Sequence, residues 1–243
     1  MRPGRLVLAL GASLACAVFV ALGVWQVERR AWKLDLIARV DQRVHAPATP
    51  APRPADWPQV SAATHEYRHV RLTGTFLHDR EARVQAVTEL GPGAWVLTPL
   101  QTADGWTVLV NRGFVPPALF QRATRQAHEP AGPVTITGLL RLTEPNGGFL
   151  RRNDPAADRW HSRDVAAIAA ARGLPAPAPY FVDADRTEAP GPAPVGGLTV
   201  IAFRNHHAVY ALTWWALALM AGGAAVYAVR SRPDPTEPHA PPA

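Results

Sequence analysis

Cysteine is almost missing. The single one among 243 residues, Cys16, lies inside an uncharged apolar stretch, which excludes a disulfide within the chain, a cysteine-based zinc site and a Cys-x-x-Cys redox pair. Lysine is just as scarce: Lys33 stands alone, so the formal net charge of +6 rests on arginines scattered through the chain. Without a dense basic run in the middle, a nucleic-acid groove is a poor reading, and a membrane surface accounts for the basicity more simply. No serine, histidine and acid stand in an order or spacing that argues for a nucleophile. Residues 91–95, GPGAW, have two glycines but no third and no strand-to-helix transition, so they read as a turn and not as a dinucleotide loop. An enzyme is therefore not the leading reading.

Charge is also absent from two long stretches. Residues 6–24 form an uncharged run behind Arg2 and Arg5, and residues 208–229 form a second. Each is long enough to cross a bilayer core of about 30 Å at about 1.5 Å per residue. The first run exceeds the apolar core of a cleaved signal peptide and reads as an uncleaved span. SLAC before and at Cys16 is similar to a lipoprotein cleavage site, but Ser13 occupies the position where leucine is usual. Gly11 and Ala15 make a small-xxx-small pair suited to close helix approach, or equally small residues facing lipid, and Gly222 and Gly223 read as packing positions against the first helix.

Between the spans the periodicity changes. Trp25, Trp32, Leu36 and Val40 fall near one helical stripe while Glu28, Arg29, Lys33, Asp35 and Arg39 lie elsewhere, the pattern of an amphipathic helix near the interface. The proline-dense residues 46–58 suit a stiff extended linker or a loop laid over a domain. Strand-like runs follow at residues 69–76, 82–88, 94–101, 106–115 and 134–142, divided by Gly, Pro and Asp turns and spaced for antiparallel neighbours. One helix is expected, with Asp164 as N-cap and Gly173 at its stop, and closing strands at 180–185 and 197–203.

The architecture expected is thus membrane-anchored α+β, a mainly antiparallel β soluble domain between two transmembrane helices. Its divisions are a first transmembrane helix at residues 1–27, an interfacial helix at 28–45, a mainly-β extracytoplasmic domain at 46–203, a second transmembrane helix at 204–229 and a disordered cytoplasmic tail at 230–243. Arg2, Arg5, Arg230 and Arg232 mark the terminal side as cytoplasmic. Arg29, Arg30, Lys33, Arg39, Arg43 and Arg204 oppose that orientation, so residue counting leaves a tie.

Four constellations carry chemistry. His65-Glu66-Tyr67-Arg68-His69 fits the H-E-x-x-H pattern of zinc proteases, but that chemistry needs both histidines on one helical face, and here the motif runs into a strand-like VRLTGTF. Asn111-Arg112-Gly113 ends a strand in a way suited to a bulge, with Arg112 pairing a carboxylate or a partner's anionic group. Residues 153–164, NDPAADRWHSRD, offer an Asx-type turn and the pair Arg159 and Trp160, bracing the following helix or facing the membrane-side site. Last, His207 stands at the mouth of the second span, with Tyr210, Ala211 and Trp214 on its helical face. Two readings of His207 stay open: an interfacial imidazole bonded to headgroups, water or Asn205, or an axial ligand of haem iron above an apolar, aromatic face. His206 lies roughly 100° around the helix from it.

In their order these segments resemble the surfeit-locus family of cytochrome c oxidase assembly factors. The matches are Leu22, Gly23, Trp25, Gln26, Arg29, Trp32, Lys33, Leu36 and Ile37 at the end of the first span; Tyr67, Arg68, Val70, Gly74 and Phe76 in the next strand; and Asn111, Arg112, Gly113, Val115 and Pro116 in the central one. Asn205, His207, Tyr210, Ala211, Thr213 and Trp214 match in the second span, and residues 153–164 look like a segment of bacterial members. Phe114 departs from the family's usual tryptophan.

The resemblance implies a non-enzymatic, two-span protein of the bacterial inner membrane with its middle domain in the periplasm, which resolves the orientation tie. It implies a role in delivering haem a into oxidase subunit I, with haem a synthase as a further partner. His207 carries over as the axial ligand, leaving His206 without a family role; Tyr210, Trp214, Trp25 and Gln26 are expected to line or brace the pocket. The alternatives are a haem-free scaffold for oxidase subunits and, behind it, a membrane zinc hydrolase.

Overall fold

The computed structural model describes residues 3–148, 150–186, 194–199 and 205–230. Three α-helices, α1 (Pro3–His45), α2 (Val165–Arg172) and α3 (His207–Arg230), accompany seven strands: β1 (Thr49–Pro50), β2 (His69–Phe76), β3 (Ala82–Thr88), β4 (Gly91–Gln101), β5 (Thr107–Val115), β6 (Pro133–Leu142) and β7 (Pro177–Ala184). Contacts group them into two units, Met1–Ala38 with Ala202–Ala243, and Arg39–Ile201.

The first unit is helical. α1 has its only proline in its first turn, where a missing N–H costs nothing, and runs through good helix formers until Pro47 follows its end. Its 43 residues extend about 64 Å at 1.5 Å per residue, twice the thickness of a bilayer core. The helix passes residue 28, where a span was expected to give way to an interfacial segment, without a break. Both α1 and α3 are long and apolar enough to cross a membrane. Residues 231–243, and with them the expected tail beyond Arg230, lie outside the described residues, as do Arg2 and Arg204.

The second unit is a sheet in the order β1-β2-β6-β7-β5-β4-β3. The end of β2 also pairs with the end of β4 at Thr75–Gln101 and Phe76–Leu100, so β2, β6, β7, β5 and β4 close on one another. Pairings are antiparallel except β1 with β2 and β5 with β7. Closure gives the sheet an inside and an outside, and the two-residue period of its strands feeds both. Val108, Val110, Tyr180 and Val182 point into one apolar cluster with Val70, Leu72 and Leu100. Their sequence neighbours Leu109 and Phe181 point the other way, into a cluster with Val84, Trp160 and Ile168 of α2. Burial on both faces explains why β5 is apolar almost throughout, with Arg112 its one partly exposed residue.

The expected elements appear with small shifts. β4 begins at Gly91, so GPGAW is mostly strand; only Gly91, at φ +96°, serves the tight connection from Thr88. α2 is capped by Asp164, whose carboxylate accepts from Ala167 N at 3.1 Å, and stops at Gly173 in the left-handed conformation. Asp164→Ala should lower stability by about 1 kcal/mol, read as a shift of the urea midpoint of the purified full chain. Of residues 197–203, expected as a strand, 200–203 lie outside the described residues; just before them Val195 bridges Phe114.

Residues 46–58 are laid over the sheet and are not a free linker. Ala51 N donates to Arg71 O at 3.0 Å. The Pro52 carbonyl accepts from both Trp57 Nε1, at 3.2 Å, and the Tyr180 hydroxyl, at 2.7 Å. The last turns of α1 belong to this unit as well: Val40 is buried, and Arg43 donates to the carbonyls of Ala63 and Glu66. Trp160 is 2% exposed and packs beneath α2, while Arg159 turns away to Asp154. The pair therefore braces the helix through its tryptophan alone.

Candidate functional site

α1 and α3 pair antiparallel, and their contacts follow helical spacing. On α1 the inward positions are Ala9, Cys16, Phe19, Gly23 and Gln26; on α3 they include His207, Ala211, Trp214, Ala218 and Gly222. Steps of three, four and seven keep each set on one face. Gly11 falls off this stripe, and a Cβ built on it meets nothing within 4 Å. Close approach is instead provided by Gly23, where an added Cβ would collide with the Trp215 indole, and by Gly222 against Cys16. Gly223 faces open space. Gly23→Val should therefore destabilise the helix pair by about 1–3 kcal/mol, visible as a lowered melting temperature of the detergent-solubilised protein.

His207 is the first residue of α3, and its Nδ1 lies 2.7 Å from Gln26 Oε1. An amide oxygen can only accept, so the proton of a neutral imidazole sits on Nδ1 and the lone pair on Nε2. Gln26 is 9% exposed, which fixes it as a brace. Such an arrangement orients an imidazole for ligation: the outer partner sets the tautomer and the ring plane while the other nitrogen stays available. Close by in sequence, the side-chain oxygen of Asn205 is buried and has no hydrogen-bond partner among the described residues.

The remaining expected residues divide. Trp214 stacks on Phe19 with ring centroids 5.6 Å apart and planes 23° from parallel, so it holds the helices together. Trp25 and Tyr210 are 53% and 56% exposed, one helical step or turn from Gln26 and His207 respectively. More than half of each residue is thus left uncovered, next to the brace in sequence. Phe19 and Trp215 are not among the expected site residues; both lie in uncharged, mostly apolar runs, and periodicity alone does not say which apolar residue faces a partner.

The zincin pattern is dispersed. Residues 62–67 form turns and not a helix. Glu66 accepts from Arg141 Nε at 2.9 Å and from Leu142 N at 3.1 Å. His69 opens β2 and lies 2.7 Å from Asp185 Oδ2 through Nε2 and 3.0 Å from Ala46 O through Nδ1. Partial burial pulls its pKa down, but the Asp185 hydrogen bond, the Ala46 carbonyl and the Asp185 charge together raise it above the ordinary value. A raised folded-state pKa stabilises below the unfolded value of about 6.5 and loses that contribution as pH climbs through the folded value. Asp185→Asn should thus cost up to about 1 kcal/mol at pH 5.5 and less at pH 8.5, measured by urea denaturation at both.

A second polar centre was unforeseen as such. Asp183, 3% exposed on β7, accepts from Asn111 Nδ2 at 2.7 Å, Arg141 Nη1 at 3.1 Å, Arg163 Nη1 at 3.1 Å and Thr199 Oγ1 at 3.0 Å. Arg163 also reaches Glu144, and the Arg141 and Arg163 guanidiniums lie over the rings of Tyr67 and Phe181. The clue in the sequence was a lone charge inside each of two apolar strands, GLLRL and YFVDA, because isolated charges there must find partners.

Arg112 and Gly113 carry the expected bulge. Phe114 and Asn111, three apart, oppose Trp95 and Leu97, two apart, and Gly113 takes φ +132° where a Cβ would strike the backbone of Val195 and Gly196. The carboxylate expected at Arg112 is not its direct partner. Its Nη1 lies 3.4 Å from His78 Nδ1, its guanidinium covers Phe76, and burial lowers its pKa.

Comparison with known proteins bears on the whole chain. The SURF1 family model matches residues 13–219. Surfeit locus protein 1 of Mus musculus is 40% identical over 218 residues, 83% of this chain and 69% of the mouse protein. The Homo sapiens protein of the same name is 39% identical over 214 residues, 81% of this chain and 69% of its own length. A SURF1-like protein of Caenorhabditis elegans is 32% identical over 222 residues, covering 82% and 67%.

Proposed function

Since this chain belongs to the SURF1 family, we propose that it is a membrane-anchored cytochrome c oxidase assembly factor that holds haem a through His207 and passes it to subunit I. The observation that carries the reading is the 2.7 Å contact between His207 Nδ1 and Gln26 Oε1, which leaves Nε2 with its lone pair. The donor set fits the group: one neutral imidazole nitrogen is a standard haem-iron ligand, and the half-exposed rings of Trp25 and Tyr210 offer apolar surface beside it. Bound there, the iron would supply a coordination bond and no turnover. Gln26 holds the imidazole tautomer, Trp214 and Gly23 hold the helices that carry the two side chains, and Asn205 Oδ1 stands ready as an acceptor for a polar edge of the ligand.

The two apolar helices anchor the protein in the inner membrane of a bacterium, and the sheet domain works in the periplasm, where subunit I and haem a synthase are the expected partners. Purification from cells that make haem a tests the reading. Near-stoichiometric haem a with a six- or five-coordinate histidine spectrum is expected; a haem-free preparation that still brings down oxidase subunits would replace it with a pure scaffold.

A further inference from the structure

Two segments singled out in the sequence, residues 108–117 and 153–164, play no part in holding haem, yet they meet. Asn111 from one and Arg163 from the other line a cavity of about 540 Å³ that lies wholly within the sheet unit. Arg141, Arg186 and Thr199 complete its polar wall, and Trp95 forms an aromatic one. At the rim are Val87 and Leu90, 80% and 56% exposed at the tip of the hairpin between β3 and β4.

The polar wall is a set of fixed donors. Asp183, beneath it, takes one N–H from Asn111 and others from Arg141 and Arg163; Glu66 and Glu144 take the Nε groups of the two arginines. These carboxylates lock the guanidinium planes but do not exhaust them. Arg141 Nη2 makes no hydrogen bond among the described residues, lying 3.9 Å from Glu144 Oε1 while Nε and Nη1 are taken by Glu66 and Asp183. Arg186 has no hydrogen bond or ion pair among the described residues, although it lines the same space. Locked arginine forks with unused N–H groups bind oxyanions well, because little side-chain freedom remains to be lost.

Charge limits the ligand further. Arg141, Arg163 and Arg186 are set against Glu66, Glu89, Glu144 and Asp183, three cations to four carboxylates. With that excess of carboxylates every added negative charge is opposed, so a polyanion such as a diphosphate is disfavoured most, and the anion tolerated is a single charge in direct contact with Arg186 and the Nη2 edge of Arg141. The Trp95 wall and the exposed Val87 and Leu90 call for an apolar body attached to that charge.

We propose that this cavity binds an amphipathic monoanion, its carboxylate or phosphodiester on Arg186 and Arg141 and its apolar part along Trp95 and the β3–β4 hairpin. A free carboxylic acid and an anionic lipid headgroup share this chemistry, and titration calorimetry separates them. The full-length protein, in phosphatidylcholine nanodiscs with empty-disc heats subtracted, is titrated with phenylacetate, dihexanoyl phosphatidylglycerol, benzyl alcohol and phenyl phosphate.

At least one monoanion should bind, and Arg186→Gln should weaken it about tenfold; phenyl phosphate, mostly dianionic at neutral pH, should bind more weakly than phenylacetate. Binding of phenylacetate alone identifies a free acid, and binding of the phosphatidylglycerol alone a lipid. The proposal is overturned if neither monoanion binds, if benzyl alcohol binds as tightly, or if Arg186→Gln changes nothing. Arg186 is exposed and has no hydrogen bond or ion pair among the described residues, so its variant should keep the wild-type urea midpoint.

Discussion

His207→Ala, made alongside the haem a biosynthetic enzymes, should lose haem a occupancy by more than a hundredfold while still entering the membrane and keeping a folded sheet domain. Loss of a direct ligand, the role proposed for His207, should exceed the 10–100-fold typical of losing a residue that merely orients one. Gln26 supplies the calibration. Gln26→Ala should weaken haem a binding about 10–100-fold, because the imidazole loses its acceptor at Nδ1 and can turn its lone pair away. Gln26→Glu keeps an acceptor there and should retain most of the occupancy. The readout is the absorption spectrum of the purified protein, whose Soret position reports ligation and whose intensity reports occupancy. Unchanged haem content in His207→Ala would refute ligation by that residue, and equal behaviour of the two Gln26 variants would refute the brace.

The second large effect is on folding. Asp183→Ala should destabilise the sheet domain by about 3–5 kcal/mol, since it removes the buried carboxylate that Arg141 and Arg163 share and leaves them only Glu66 and Glu144. Asn111 and Thr199 lose a partner in the same step. Asp183→Asn should cost less, because one carbonyl oxygen still accepts. Urea unfolding followed by circular dichroism gives both values. A midpoint for Asp183→Ala within error of wild type would show that the arginines find other partners and that the cluster is not a structural centre.

How much of this was legible follows from what each pattern encodes. β2 and β3 were readable to the residue because alternating burial is written directly as alternating hydropathy, and α2 because Asp164 and Gly173 are conformational signals local to its ends. The closure of β2 onto β4 was not readable: it depends on two residue pairs, Thr75–Gln101 and Phe76–Leu100, that nothing nearby in sequence announces. Nor was the sheet-covering role of residues 46–58, since proline density restricts the backbone in the same way whether or not Tyr180 lies beneath.

At the site, His207 stood out because an imidazole at the edge of an apolar run is costly without a reason. Gln26 was named beside it, yet their hydrogen bond and the tautomer it sets depend on how two distant helices meet. Trp25 and Tyr210 share their neighbours' composition but not their orientation, which is why half-exposed flanks and direct braces looked alike.

The place of β7 in the sheet has a consequence for the order of events during synthesis. β7 lies between β6 and β5, two strands that precede it in the chain, and pairs with each along one of its edges. Until residue 184 has been made, both carry open edges, and Pro52 waits for the hydroxyl of Tyr180, 128 positions away. Nascent chains stopped short of that point should be sticky and readily degraded. Only 22 residues then separate the end of β7 from the start of α3. Sealing of the domain and arrival of α3 thus fall within seconds of one another at ordinary rates of translation, so a protein unable to finish its sheet has scarcely begun to make His207.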